Sequence, residues 1–156
     1  MTSWHSWHAK VLEAIRDLGL LGLRLWVGQE FLLAGWNKVS AGTTAPEWFA
    51  GLNFPWPQHL LSADVNWTLA GFGEVGLALA LLLGLFSRLS ALGLMYVTFV
   101  AVWTVHFDLG WAGWNQIDSD EGLGFKVPLM LGLMLWAIVT QGPGRYALDA
   151  WRHRRP

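Results

Sequence analysis

Four apolar stretches, separated by polar segments, dominate the hydrophobic pattern of this sequence. They are residues 18–39, 67–86, 89–109 and 125–141. As helices they each rise roughly 25 Å or more, close to the bilayer's hydrocarbon core of about 30 Å. Only Ser87 and Arg88 separate the second stretch from the third, so these two are predicted to run antiparallel. The pattern predicts an all-α integral membrane protein, a single domain over residues 1–156 built as a four-helix transmembrane bundle.

Shorter amphipathic segments flank the predicted spans. In residues 3–17, apolar side chains recur every three or four positions and charged ones take the other side, which predicts a short helix lying flat on the membrane surface. The C-terminal tail RYALDAWRHRRP is also amphipathic, and Gly142-Pro143-Gly144 is predicted to end the fourth span. The long connection after the first span is expected to fold back onto the bundle, with a helical turn around residues 47–52.

Glycines are spread through the apolar stretches. They lie at positions 28, 35, 71, 76, 84, 93 and 132. A residue without a side chain lets two helices approach closely, and small residues are typical of helix contacts in membranes. These glycines are therefore predicted to lie at helix–helix contacts.

Charged residues outside the spans divide unequally between the two sides of the bundle. The N-terminal segment, the short turn and the tail carry Lys10, Arg16, Arg88, Arg145, Arg152, Arg154 and Arg155. The other two connections carry Glu47, Asp64, Asp118, Asp120 and Glu121. By the positive-inside rule, both termini are predicted to be cytoplasmic. The chain also contains twelve tryptophans and only two tyrosines. This excess fits a membrane protein, because tryptophan side chains favour the lipid headgroup region.

Composition excludes several functional classes. With a net charge of -1 and no basic stripe along the chain, nucleic acid is not a predicted partner. The absence of cysteine means that any redox role needs a cofactor or a partner. His106 is the one histidine within a predicted span, so it cannot hold a haem between two helices with a second histidine. His5 and His8 lie one helical turn apart, but two ligands do not make a site, and no metal is predicted.

Charged side chains inside the apolar stretches are the candidate functional residues, because a charge within a membrane needs a partner or a role. Arg24 and Lys38 lie near the two ends of the first span, where they either reach lipid headgroups or bind a ligand. Glu30 and Glu74 lie about 12–14 Å from the nearer surface, too deep for a short side chain to reach water. These two carboxylates either form a structural buried pair or line a functional pocket.

The functional hypothesis is a polar pocket that opens to the outer side of the membrane. Its predicted catalytic residues are Glu74, His106 and Glu30. Its predicted ligand-binding residues are Lys38, Asp108, Lys126 and Arg24. By residue count, every one of these residues except Arg24 falls in the outer half of its span. The cations that could pair with Glu30 and Glu74 are Lys38, Lys126 and His106.

Three short motifs follow one another along the chain. The first span reads R-L-x-x-G-x-x-F-x-x-x-G-x-x-K from Arg24 to Lys38. The second contains Glu74 and closes on LGLFSR at residues 83–88, and the tail reads GPGRYALD at residues 142–149. In this order the motifs resemble the DoxX family. Lys126 departs from the resemblance, because many relatives resemble E-x-P-L where this chain has KVPL.

The resemblance implies a small multi-pass protein of a prokaryotic inner membrane that serves a redox system, such as thiosulfate:quinone oxidation or oxidant defence. On that expectation the outer pocket binds a quinone, and the chain is part of a quinone-linked oxidoreductase. The alternatives are a non-enzymatic scaffold or anchor for a partner oxidoreductase, and a carrier of a small solute. The expected partners are the lipid bilayer and a membrane, periplasmic or cytoplasmic protein. The sequence leaves open a homo-oligomer and whether the chain is itself an enzyme.

Overall fold

Helices account for most of the chain. The computed structural model describes residues 2–152, with the side chains of residues 7–12 and 14–151. The α-helices are α1 (Thr2–Ser40), α2 (Glu47–Ala50), α3 (Ala63–Leu83), α4 (Ser87–Thr104), α5 (Lys126–Gln141) and α6 (Leu148–Arg152). Two 3₁₀ helices cover Gln58–Leu60 and Gly110–Asn115. A small antiparallel hairpin, β1 (Asp118–Ser119) and β2 (Gly122–Leu123), precedes α5.

The four long helices pack side by side around one apolar core. Helix α1 packs against α3 and α5, and α4 packs against the same two helices. The core consists of Val27, Phe31, Ala78, Leu81, Ala91, Leu94, Leu135 and Ile138. Helices α3 and α4 are each long and apolar enough to cross a membrane, and α5 is a shorter apolar helix. The helical class predicted from the sequence is thus confirmed, and two of the four predicted spans correspond to helices of membrane-spanning length and composition.

Helix α1 differs from the prediction. The surface helix over residues 3–17 and the span over residues 18–39 form one uninterrupted helix of 39 residues, Thr2–Ser40. No proline lies in this segment, and isolated glycines do not end a helix, so nothing in the backbone separates its two parts. At 1.5 Å per residue α1 is about 58 Å long, roughly twice the bilayer core. The side chain of His5 lies outside the described residues.

The other helix ends shift by a few residues from their predicted positions. Helix α3 begins and ends earlier than predicted, because Ser62 Oγ accepts a hydrogen bond from Val65 N (3.3 Å) at its start and Gly84 ends it with φ 70°. Helix α4 ends at Thr104 instead of residue 109. His106 and Asp108 therefore lie beyond α4, in the segment that leads to the hairpin. The predicted stop after the fourth span is confirmed by α5, which ends at Gln141.

Most of the glycines predicted at helix contacts lie there. A side-chain carbon added to Gly35 of α1 would lie 2.7 Å from Glu74 Cβ and 2.8 Å from Val75 N of α3. Similar close approaches occur at Gly28, Gly71 and Gly93. The prediction is wrong for Gly76 and Gly132, which have open space where a side chain would point.

The long connection between α1 and α3 folds onto the start of α3, as the sequence predicts. The buried Phe49 of α2 packs its ring 5.0 Å from the ring of Trp67. Trp67 Nε1 donates to Gly42 O (3.0 Å), and Asp64 Oδ1 accepts from Ala45 N (2.8 Å). The predicted helical turn around residues 47–52 is confirmed by α2.

Candidate functional site

A buried ion pair joins two of the predicted site residues. Lys38 Nζ of α1 donates a hydrogen bond to Glu74 Oε2 of α3 at 2.8 Å. The two side chains meet because Gly35 and Gly71 let the backbones of α1 and α3 approach closely at this level. The Glu74 side chain is only 6% exposed, and that of Lys38 is 21% exposed. The carboxylate is therefore covered by protein, and the ammonium group lies at the edge of the contact.

This pairing explains why Glu74 is tolerated in an apolar helix. Burying an isolated carboxylate costs several kcal/mol, which an opposite charge in hydrogen-bond contact offsets. Lys38 Nζ carries three donors, and its contacts to Glu74 and to Ala34 O (3.4 Å) account for two of them. One N–H donor remains for another acceptor. The arrangement can thus hold a polar oxygen next to a carboxylate in apolar surroundings.

The other outer residues of the predicted pocket lie apart from this pair. Among the described residues, no hydrogen bond or ion pair connects them to Lys38 or Glu74; they are Glu30, His106, Asp108 and Lys126. The structure therefore brings together two members of the predicted site, and a shared pocket stays a prediction.

Each of these four residues has its own setting. Glu30 is half-buried on α1, and His106 Nδ1 is buried without a hydrogen-bond partner among the described residues. Asp108 Oδ2 accepts from Leu123 N (3.2 Å), which fixes β2 to the segment after α4. Lys126 is the first residue of α5, and its backbone N donates to Gln116 O (3.2 Å). The carboxylate of Asp108 thus has a structural role that the sequence pattern does not reveal.

Arg24 lies at the opposite end of the α1–α3 contact and is fully buried, with 0% exposure. Its Nη2 donates to Tyr146 O at 2.9 Å, beneath the C-terminal segment. Nε and Nη1 have no hydrogen-bond partner among the described residues. The interpretation that Arg24 reaches lipid headgroups is wrong, because the tail covers it. Nor does Arg24 lie near the Lys38–Glu74 pair, since it is almost four helical turns away along α1.

The C-terminal tail is fixed to the helices by a set of polar contacts around Arg24. Asp149 Oδ1 accepts from Phe86 N (2.9 Å), and its Oδ2 accepts from Ser87 N (2.8 Å) and Ser87 Oγ (2.9 Å). Asp149 N in turn donates to Gly84 O at 2.9 Å. We call Arg24, Gly84, Ser87, Tyr146 and Asp149 the tail-anchoring cluster. Its effect is that a carboxylate from the tail caps the N-terminus of α4.

A second contact fixes the tail to α1. Asp17 Oδ1 accepts from Arg145 N at 3.2 Å, and Asp17 Oδ2 lies 3.8 Å from Arg145 Nε. Gly144, with φ 74°, packs directly against Asp17 and Leu20. The left-handed backbone at this position favours glycine, which explains the residue type at the turn.

Comparison with known proteins decides the family. The DoxX family model matches residues 19–107, which hold Arg24, Lys38, Glu74 and Ser87. The chain belongs to the DoxX family. It is also 34% identical over 134 residues to an uncharacterised protein of Haemophilus influenzae, covering 85% of this chain and 82% of that protein. No solved structure matches the chain.

The DoxX assignment confirms the resemblance read from the three motifs and, with the two apolar helices, identifies a membrane protein. The structure adds that each motif supplies a member of the tail-anchoring cluster. Arg24 comes from the first motif, Ser87 from the second and Asp149 from the third. Sequence reasoning missed Ser87 and Asp149 as interacting residues. The available signal was the position of each motif at a helix end, because helix ends on the same side of a bundle lie close together.

Proposed function

We propose that this DoxX protein crosses a prokaryotic inner membrane four times, as a four-helix bundle with both termini in the cytoplasm. Helices α3 and α4 support two of these spans by length and composition. Helices α1 and α5 pack against them and supply residues to the same apolar core, which supports the other two. The segregation of lysine and arginine supports the orientation.

Cysteine labelling tests this topology, and the chain has no native cysteine to interfere. Ser119 and Lys10 are both exposed, whereas Ser87 is buried and unsuitable as a reporter. A cysteine at Ser119 is expected to react with a membrane-impermeant maleimide in intact cells, and a cysteine at Lys10 only after permeabilisation. The reverse pattern would invert the topology, and labelling of both from outside would contradict the three spans proposed between Lys10 and Ser119.

We further propose that the Lys38–Glu74 pair binds the polar head of a quinone, and that the chain is the membrane subunit of a quinone-linked redox system. The observation that carries this proposal is a hydrogen-bonded charge pair in an apolar helix contact, with the lysine side chain partly exposed. A quinone, when bound, would take up two electrons and two protons on reduction to the quinol. The chain has no cysteine, so the electrons are assigned to a partner oxidoreductase.

The residues of the pair fit this ligand class. The remaining N–H of Lys38 is suited to a carbonyl oxygen, and such a charge-assisted hydrogen bond is stronger than a neutral one. Glu74 is suited to accept a hydrogen bond from a hydroxyl group and to hold a proton. The Glu74 side chain is only 6% exposed, and a hydrogen bond to a group shielded from water is stronger than one in water. His106, with its unpartnered Nδ1, is the proposed second proton-exchanging group.

Direct binding measurements test the quinone proposal. Lys38→Met is expected to weaken the binding of a short-chain quinone by about ten- to a hundredfold, measured by equilibrium dialysis in detergent, because a charge-assisted hydrogen bond is lost. The matched control is Lys10→Met, which removes an exposed lysine elsewhere on α1 and should leave the Kd unchanged.

The double variant Lys38→Met/Glu74→Leu removes the pair without leaving a lone charge, so it separates ligand binding from folding. It should stay folded and bind quinone weakly. If wild-type protein binds no quinone, or the double variant binds it with the wild-type Kd, the quinone proposal fails. A scaffold or a small-solute carrier would then account better for the family membership.

A further inference from the structure

A cleft of about 480 Å³ lies next to the tail-anchoring cluster, between the α3–α4 turn and the tail. Its apolar lining includes Phe86, Leu89, Pro143 and Ala150, and Arg88 supplies a guanidinium group. Two elements far apart in sequence thus form the walls, and the contacts of Asp149 to Phe86 and Ser87 hold them together. The hydrogen bonds of Asp149 thus fix the two walls of the cleft relative to each other.

Arg88 differs from the other cations at this end of the molecule. Arg24 donates to Tyr146 O, and Arg145 pairs with Asp17. Arg88 is exposed and lies along the backbone at Gly142, and no acidic side chain in the described part of the chain pairs with it. Its positive charge is therefore available to a ligand.

The carboxylate that also lines the cleft has partners of its own. Asp149 uses both oxygens to accept hydrogen bonds from Phe86 and Ser87. It also interacts electrostatically with the buried guanidinium of Arg24. The negative charge of Asp149 thus faces donors within the protein, and the cleft offers a ligand the cation of Arg88.

The rim of the cleft is apolar on the side of the helices. Phe86 is 54% exposed and Leu89 is 67% exposed. Phe86 has φ 46°, an uncommon conformation for a bulky residue, and the hydrogen bond from its N to Asp149 holds it there. An unpaired cation beside exposed apolar side chains matches the headgroup and upper acyl chain of a lipid.

We propose that this cleft binds the phosphate of an anionic phospholipid at the membrane surface, with Arg88 paired to the phosphate and Phe86 and Leu89 against the acyl chains. Charge complementarity supports an anionic occupant, because the guanidinium of Arg88 lines the cleft and no acidic side chain in the described part of the chain pairs with it. The inference is independent of the quinone proposal, since the cleft and the Lys38–Glu74 pair share no residue.

Native mass spectrometry of the delipidated protein, titrated with phosphatidylglycerol or phosphatidylcholine, tests the inference. Wild-type protein is expected to bind phosphatidylglycerol in preference to phosphatidylcholine. Arg88→Gln should weaken phosphatidylglycerol binding about tenfold, because a charge-assisted contact to phosphate is lost. Arg88→Lys should keep part of the affinity, since the charge remains but the planar fork does not.

The matched control is Arg16→Gln, which removes an exposed cation at the same end but outside the cleft. It should retain the wild-type affinity for phosphatidylglycerol. Equal losses in Arg88→Gln and Arg16→Gln would show a diffuse surface charge effect and overturn the proposal. Equal binding of the two lipids, or displacement of phosphatidylglycerol by millimolar inorganic phosphate alone, would overturn it as well.

Discussion

Replacing Lys38 by methionine is expected to destabilise the protein by about 3–5 kcal/mol, because it leaves the buried carboxyl group of Glu74 without its partner. Glu74→Gln should lower the free energy of unfolding by a smaller amount. Lys38 is the more exposed member of the pair, and its longer side chain can turn its charge toward a polar surface when the carboxylate is removed. The two single variants are therefore expected to differ, although they break the same ion pair.

Thermal unfolding in detergent, followed by circular dichroism or by loss of monodisperse protein, measures this difference. The control is the double variant Lys38→Met/Glu74→Leu, which should recover most of the lost stability, because apolar residues of similar volume often replace a buried pair without cost. Equal stability of Lys38→Met and the wild type would contradict the assigned role of the pair. So would a double variant less stable than either single one.

Asp149→Ala is expected to destabilise the protein by about 3–5 kcal/mol and to release the tail. The substitution removes the acceptor for three hydrogen bonds from Phe86 and Ser87, each worth roughly 1.5–3 kcal/mol to a charged group and not fully additive. It also takes the nearby carboxylate away from buried Arg24. Both the start of α4 and the attachment of the tail should weaken together.

Thermal unfolding and the rate of tryptic cleavage after Arg145 report these two effects separately. The stability of Asp149→Asn should lie between that of Asp149→Ala and that of the wild type, because the amide keeps one acceptor oxygen. Ser87→Ala removes one of the three hydrogen bonds and should destabilise the protein by about 1.5–3 kcal/mol, because the carboxylate keeps its two backbone donors. A tail that stays protected in Asp149→Ala would show that the Arg145 contact to Asp17 is sufficient to hold it.

Residue pattern was sufficient to predict where long helices form, but the turn between α3 and α4 covers residues 84–86, and Ser87 and Arg88, predicted as the turn, begin α4. Long apolar runs and the breaker sequence Gly142-Pro143-Gly144 each act through local backbone chemistry. The extent of α1 was not predictable in this way. Residues 3–17 have the composition of a surface helix, but without a proline or a cap the helix continues into the span, and the same side-chain pattern fits both outcomes.

Partners across helices were harder to predict than candidate residues. Glu74 was identified as a candidate because it lies deep in the predicted span and its side chain is too short to reach water. Helical periodicity, however, shows only which side of its own helix a residue occupies. It does not show which helix lies on that side. Three cations were available to Glu74, and the close approach at Gly35 and Gly71 selects Lys38. The partners of Arg24 and Asp149 depend on tertiary packing between positions more than 60 residues apart, which a single sequence does not encode locally.

The cap of α4 can form only late in the synthesis of the chain. Asp149 follows Ser87 by 62 positions, so the backbone N–H groups at the start of α4 are made long before the carboxylate that accepts their hydrogen bonds. At a translation rate of about 5–20 residues per second, this interval is roughly 3–12 s. During that time the rest of α4 and all of α5 are synthesised, but the turn between α3 and α4 lacks its acceptor. The tail therefore docks after helices α1 to α5 have been made, and its docking completes a turn synthesised 62 positions earlier.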